Sequence, residues 1–204
     1  MSLWSFPSPL LLASASTARR AMLTDAGIPV DIEPARINER AVDQSLRAAG
    51  APPGKIALAL ARAKAAAVSA HHPGRLVLGA DQLLDCDGTI FDKARDRSEA
   101  EQKLAALAGK THRLTSAAVL VRDGHTVFES VSEASLTMRP LDSVAIALYA
   151  DQAGAALTVC VGCYEIEGRG AHLFNRIEGD HFTIRGLPLL DVLAGLRAEG
   201  WIRL

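Results

Sequence analysis

Excess charge, cysteine and long apolar runs are all scarce in this chain, and each shortage closes a class of function. Lys and Arg number 22 against 23 Asp and Glu, a formal net charge of −1 over 204 residues. Duplex nucleic acid is bound through a basic surface, so this balance argues against such a partner. It leaves room for a small, strongly polar pocket. Cysteine occurs three times, at Cys86, Cys160 and Cys163, an odd number with no structural-zinc spacing. Cys160-x-x-Cys163 has the outward form of a redox pair. It lies in an apolar stretch without a thioredoxin-like lead-in, so all three cysteines are expected to act as small buried hydrophobes. No apolar run is long enough to span a bilayer, and Met1–Pro9 carries no basic region ahead of a long apolar core. A cytoplasmic, reducing setting with no membrane partner is the expectation. With no long linker, low-complexity tract or repeat, residues 1–204 are expected to form one domain.

The apolar patterning alternates between strand and helix periods. Leu10–Ala13 reads as a buried strand, followed by a helix capped by Ser16 or Thr17 and running to about Ala26, where Gly27 stops it. Val30–Pro34 reads as a short strand. Arg36–Gly54 is polar and suits an irregular or partly helical loop, and the Ala-rich Lys55–Ala70 a helix. Leu76–Ala80 reads as a strand, with Asp87-Gly88 turning the chain back into Thr89–Phe91. Ser98-Glu99-Ala100-Glu101 fits a capping box for a helix ending at Gly109. Thr111–Arg122 and Thr126–Arg139 pair through a turn at Asp123-Gly124. Asp142–Ala150 is a short helix, Ala155–Gly162 an extended segment, and Pro188 opens the last helix. Two antiparallel hairpins among alternating elements point to an α/β fold with a mixed sheet and flanking helices, not to a purely parallel one.

Several residues sit where structure alone gives them little reason to be. Ser14, Ser16, Arg19 and Arg20 stand where a buried strand hands over to a helix. Unpaired N–H groups and the helix dipole favour an anion there, and guanidiniums suit phosphate oxygens. A helix cap with two solvated arginines accounts for the same residues. Asp81 follows an apolar strand, as a metal ligand or general base, or as a turn aspartate. Lys64 lies beside the apolar stripe Ile56, Leu60, Ala63 and Ala67, where it either snorkels or points into a polar site. Lys93 follows the return strand and has the reach to come back to the same end of the sheet. Glu165, Glu167, Glu178 and Asp180 fall in a glycine-punctuated stretch, a ligand loop or a solvated one.

A series of motifs runs through the chain in one order. They are Leu12-Ala13-Ser14-Ala15-Ser16-Thr17-Ala18-Arg19, Asn38-Glu39-Arg40, Lys64, Gly79-Ala80-Asp81 with Asp87-Gly88, and Lys93-Ala94. Ala108-Gly109-Lys110-Thr111-His112, Val161-Gly162-Cys163-Tyr164-Glu165-Ile166-Glu167-Gly168, Glu178-Gly179-Asp180 and Gly186-Leu187-Pro188 complete them. The ordered set, from Leu10 to about Arg197, resembles the Maf-like (septum-formation-inhibitor type) nucleotide pyrophosphatases. One motif alone is weak; the order is specific. The departures are Thr17 and Ala94, each where the family has proline, and Asn38 where it has an acid, which would weaken a metal site using both acids there. Ala18 stands where some members carry arginine or tryptophan. Arg19, Glu39, Lys64, Asp81 and Lys93 are retained.

The resemblance implies a twisted mixed sheet of the Maf/ITPase-like type, with a cleft at the sheet edge. It implies hydrolysis of a nucleoside triphosphate between its α and β phosphates, giving the monophosphate and pyrophosphate. Asp81, Glu39, Lys93 and Lys64 would be catalytic, with Asp81 and Glu39 holding Mg²⁺ or Mn²⁺. Arg19, Lys64 and Lys93 would neutralise the triphosphate, and Ser14, Ser16, Arg19 and Glu167 would bind substrate. Glutamate at position 167, with Gln82 after Asp81, is similar to the 7-methyl-GTP group, where a carboxylate accepts from guanine N1–H and the N2 amine. The expected role is then clean-up of modified nucleotides. Alternatives are a pyrimidine or ITP/XTP pyrophosphatase and a non-catalytic nucleotide-binding regulator of septum formation. The resemblance also makes a homodimer an expectation.

Overall fold

A computed structural model describes residues 3–204, so Met1 and Ser2 of the Met1–Pro9 start lie outside it. The chain runs β1 (Leu10–Leu12), α1 (Thr17–Asp25), β2 (Val30–Ile32), α2 (Glu39–Ala48), α3 (Pro53–Ser69), β3 (Leu76–Cys86) and β4 (Thr89–Phe91). Then come α4 (Arg97–Leu107), β5 (Thr111–Arg122), β6 (His125–Met138), α5 (Ser143–Ala153), α6 (Ala156–Val159), β7 (Phe174–Glu178), α7 (His181–Ile184) and α8 (Leu189–Ala198). Seven strands make one mixed sheet in the order β2-β1-β3-β5-β6-β7, with β4 paired to β3. β1 is parallel to both β2 and β3, whereas β4 and β7 run antiparallel to their partners. The mixed α/β class read from the patterning is the class observed. Among the described residues no helix is long and apolar enough to cross a membrane.

Turn chemistry carried most of the sequence reading. Asp87-Gly88 and Asp123-Gly124 both adopt positive φ at each residue (51° and 78°; 50° and 78°), the backbone a two-residue hairpin demands. Three expectations are corrected. The strand from Leu76 does not end at Ala80 but continues to Cys86, because Leu83, Leu84 and Cys86 are also buried. The capping box lies two residues earlier than Ser98. Asp96 accepts from Glu99 N at 2.9 Å, while Glu99 reaches back to Arg95 N at 3.0 Å; Asp96 has the extended backbone of a cap, and Ser98 already lies inside the helix. Ala155–Gly162 is not extended: Ala156–Val159 is a helical turn that buries Ala156 and Leu157. A uniformly apolar run carries no alternation to select a strand.

The chain divides into two compact units. The first holds residues up to Asp81, Ser116–Ser132 and Gly186–Leu204; the second holds Gln82–Thr115 and Glu133–Arg185. In the first, Leu10, Leu12, Met22, Leu23, Ile56, Leu78 and Leu196 are fully buried. The second has its own apolar cluster, including Leu84, Leu104, Leu107, Leu136, Tyr164 and Ile184. Cys86 and Cys163 are buried as expected, but Cys160 is only half-buried.

Candidate active site

The first unit's site begins where β1 stops. Ala13 N still donates to Leu78 O at 2.8 Å, and then the chain leaves the sheet for α1. β3 continues past the end of β1 and meets β4 only from Leu84 on, so its next outward carbonyl, Ala80 O, has no strand N–H to accept. Arg19 supplies the donor: its Nη1 lies 3.0 Å from Ala80 O and 3.1 Å from Ser14 Oγ, and its Nε donates to Gly186 O at 2.7 Å. Ser16, rather than Thr17, caps α1, its Oγ accepting from Arg19 N. Arg19 is therefore no solvated arginine. Burial pushes its guanidinium below the ordinary value, and the carboxylates of Asp81 and Glu39 oppose that shift.

Asp81 lies two residues beyond Gly79 and so on the same face of β3. A methyl group on Gly79 would fall 2.1 Å from Ala61 O and 2.8 Å from Ala65 N. The absence of that methyl lets α3 lie directly on the strand. Lys64, about one turn after Ala61 and next to Ala65, thereby meets Asp81. Its Nζ is 2.5 Å from Asp81 Oδ1 and 2.9 Å from Glu39 Oε1. Lys64 and Asp81 are only 9% and 8% exposed, so the lysine points into a polar site and does not snorkel. Glu39 opens α2, with Asn38 as its cap accepting from Ala41 N at 3.2 Å. Thr17 and Asn38, two of the departures, thus serve at helix starts.

Among the described residues no three His, Cys, Asp or Glu side chains form a metal-holding group. Asp81 and Glu39 nonetheless converge on one cation position, where Lys64 Nζ lies. Mg²⁺ and ions like it are commonly held by one or two carboxylates, with substrate phosphates and waters completing the shell. This donor set fits such an ion.

Lys93 and Glu167 belong to the second unit. Lys93 is exposed in the segment joining β4 to α4. That segment is pinned by Lys103, a buried residue that sequence reading passed over, which donates to Asp92 O and, at 3.4 Å, to Val161 O. Its signal was a lysine inside the apolar stripe of Ala100, Leu104 and Leu107. The Cys160 thiol lies within electrostatic reach of both Lys93 and Glu167. Burial pushes it up to about 11, which suits an inert thiol. Glu167 pairs with Arg185, Nε to Oε1 at 2.7 Å, another partner the sequence did not advertise.

Two of the motifs supply contacts that hold the fold together. His112 Nε2 and Tyr164 OH are 2.6 Å apart in the core, and burial lowers the imidazole to about 4. Asp180 caps α7, accepting from Phe182 N at 2.8 Å and Thr183 N at 3.0 Å. Ser14, Ser16, Arg19, Glu39, Lys64 and Asp81 thus share the first unit, while Lys93 and Glu167 stand on the second.

A family model described as "Maf-like protein" matches residues 9–199. A "Nucleoside triphosphate pyrophosphatase" of Rhodopseudomonas palustris is 54% identical over 200 residues, 98% of each chain. Proteins of the same name from Nitrobacter winogradskyi and Paramagnetospirillum magneticum are each 50% identical, over 99% and 93% of this chain and 98% of their own.

Proposed function

The chain belongs to the Maf-like family, and on that premise we propose that it is a nucleoside triphosphate pyrophosphatase. Water is consumed, the bridge between the α and β phosphates breaks, and the products are the nucleoside monophosphate and pyrophosphate. The observation that carries this reading is the carboxylate pair of Asp81 and Glu39 sharing one ammonium, with the Arg19 guanidinium in electrostatic range. Phosphoryl transfer is catalysed mainly by neutralising charge and placing the nucleophile, and this group of charges serves both needs.

Asp81 and Glu39 would hold Mg²⁺ or Mn²⁺, which when bound withdraws charge from the phosphate oxygens. Asp81 accepts a proton from the attacking water. Lys64 holds the two carboxylates together and, with Lys93, balances the triphosphate charge. Ser14, Ser16 and the start of α1 offer donors to phosphate oxygens, and Arg19 fixes Ser14 in place. Glu167 is the base reader. An anionic acceptor beside guanine N1–H and N2, and attractive to a cationic ring, supports 7-methyl-GTP as substrate and clean-up of modified nucleotides as the role.

The test is pyrophosphate release by the purified protein on 7-methyl-GTP, GTP, ITP, XTP, UTP, dTTP, CTP and ATP, with Mg²⁺ and with Mn²⁺. Turnover led by 7-methyl-GTP is expected. Turnover led by ITP and XTP, or by pyrimidines, would replace the substrate. Tight nucleotide binding without turnover would replace the enzyme by a regulator.

A further inference from the structure

We infer that Arg185 and Glu167 form one reading pair for the lactam edge of a nucleobase. That edge is the adjacent C=O and N–H of uracil, thymine, guanine and hypoxanthine, which cytosine and adenine replace with an amine beside a bare ring nitrogen. The inference rests on the pyrophosphatase reading, because it concerns the base of that substrate.

The first support is what the ion pair leaves unspent. Arg185 Nε is 2.7 Å from Glu167 Oε1, yet it is buried without a hydrogen-bond partner. The contact is ionic and off the line of an N–H···O bond. A fork-to-fork pair would consume two donors and both carboxylate oxygens. Here Nε, the nitrogen nearest the carboxylate, is off the line of a hydrogen bond, so the pair is not a hydrogen-bonded fork. Both side chains are partly exposed, 19% for Arg185 and 39% for Glu167. The pair thus presents an anionic acceptor beside a cationic donor. An N–H and its neighbouring C=O satisfy both at once. An amine beside a bare nitrogen meets them only in the reverse order, setting acceptor on acceptor and donor on donor. The carboxylate alone would read the N–H but not the carbonyl next to it.

The second support is the rigidity of the mount. Arg185 ends α7, its N–H donating to His181 O. Asp180 caps the start of that helix, and Gln82 Nε2 donates to Thr183 O at 2.9 Å and Ile184 O at 3.0 Å at its end. Before it, Gly179 has φ +112° and is packed so that a methyl group would fall 2.8 Å from Ala134 Cα. A donor fixed before substrate arrives loses little freedom on binding, which is what selectivity by hydrogen bonding needs. 7-Methylguanine keeps its N1–H and O6, so 7-methyl-GTP stays within the class; the pair selects the edge, not the methyl group.

The test uses two substrate pairs that differ at this edge, UTP against CTP and ITP against ATP, with full-length protein. Wild type is expected to favour the lactam member of each pair by on the order of 10–100-fold in kcat/KM. Arg185→Leu should collapse both ratios toward unity, with its melting temperature recorded to show that it folds. Arg185→Lys, which keeps the charge and loses the fork, should fall between and serves if the leucine variant does not fold. Equal ratios in wild type, or unchanged ratios in the folded variants, would overturn the inference. If no nucleotide turns over, calorimetric binding of the same four separates the two ideas. Preference for UTP and ITP without turnover keeps the reading pair and removes the pyrophosphatase; equal binding removes the pair.

Discussion

Gly79 lies so close beneath Ala61 that a side chain of any size on it would strike the helix backbone, at 2.1 Å from the carbonyl oxygen. The contact is to backbone, so no rotamer change relieves it. Gly79→Ala must lift α3 off β3 and carry Lys64 away from Asp81. The expected cost is about 3 kcal/mol, read as a lower urea midpoint, together with loss of pyrophosphate release. A variant of unchanged midpoint would mean that the helix shifts freely.

Asp81→Asn keeps the shape of the side chain and removes its charge and basicity. Hydrolysis is expected to fall nearly to background while nucleotide binding, followed by calorimetry, is kept. Full turnover in this variant would take Asp81 out of the reaction.

Arg19→Lys separates two roles for the arginine. As a point charge for phosphate, lysine is an adequate replacement, and only KM would move. As the donor to Ala80 O, Ser14 Oγ and Gly186 O, arginine has a geometry that lysine lacks. The expected result is destabilisation by about 1–3 kcal/mol and a lower kcat, measured by thermal unfolding and initial rates.

Much of the architecture was legible because local chemistry agreed with it. The Asp-Gly turns, the helix caps and the apolar stripe of α3 each announce their element with neighbouring residues only. The candidate site was legible in residue type, as with Asp81 after an apolar run. It was not legible in partnership. Lys64 was balanced between snorkelling and pointing inward, and only the close approach at Gly79 decides it. Lys103 and Arg185 stayed hidden because their meaning lies in residues 58 and 18 positions away. The same distance effect separates the motif at His112 from its explanation, Tyr164, 52 residues on. Order along the chain reveals which residues recur together, not which of them touch.

That buried His112–Tyr164 contact makes stability depend on pH in a defined window. The folded imidazole is lowered to about 4 by burial, against an unfolded value of about 6.5. Above pH 7 both states hold it neutral, and its full contribution is present. As pH falls from about 6.5 toward about 4, the unfolded chain takes up a proton that the folded chain refuses, so stability is lost through that interval and levels off below it. The loss from this residue is about 3 kcal/mol at most. Other groups titrate over the same range, so the measurement is a difference: urea midpoints at pH 7.5 and pH 5 for wild type and for His112→Gln. The glutamine variant is expected to be less stable at pH 7.5, having lost the shape of the ring, and yet to show the smaller drop on acidification. An equal drop in both proteins would mean that His112 is protonated inside the fold, with Tyr164 Oη as acceptor.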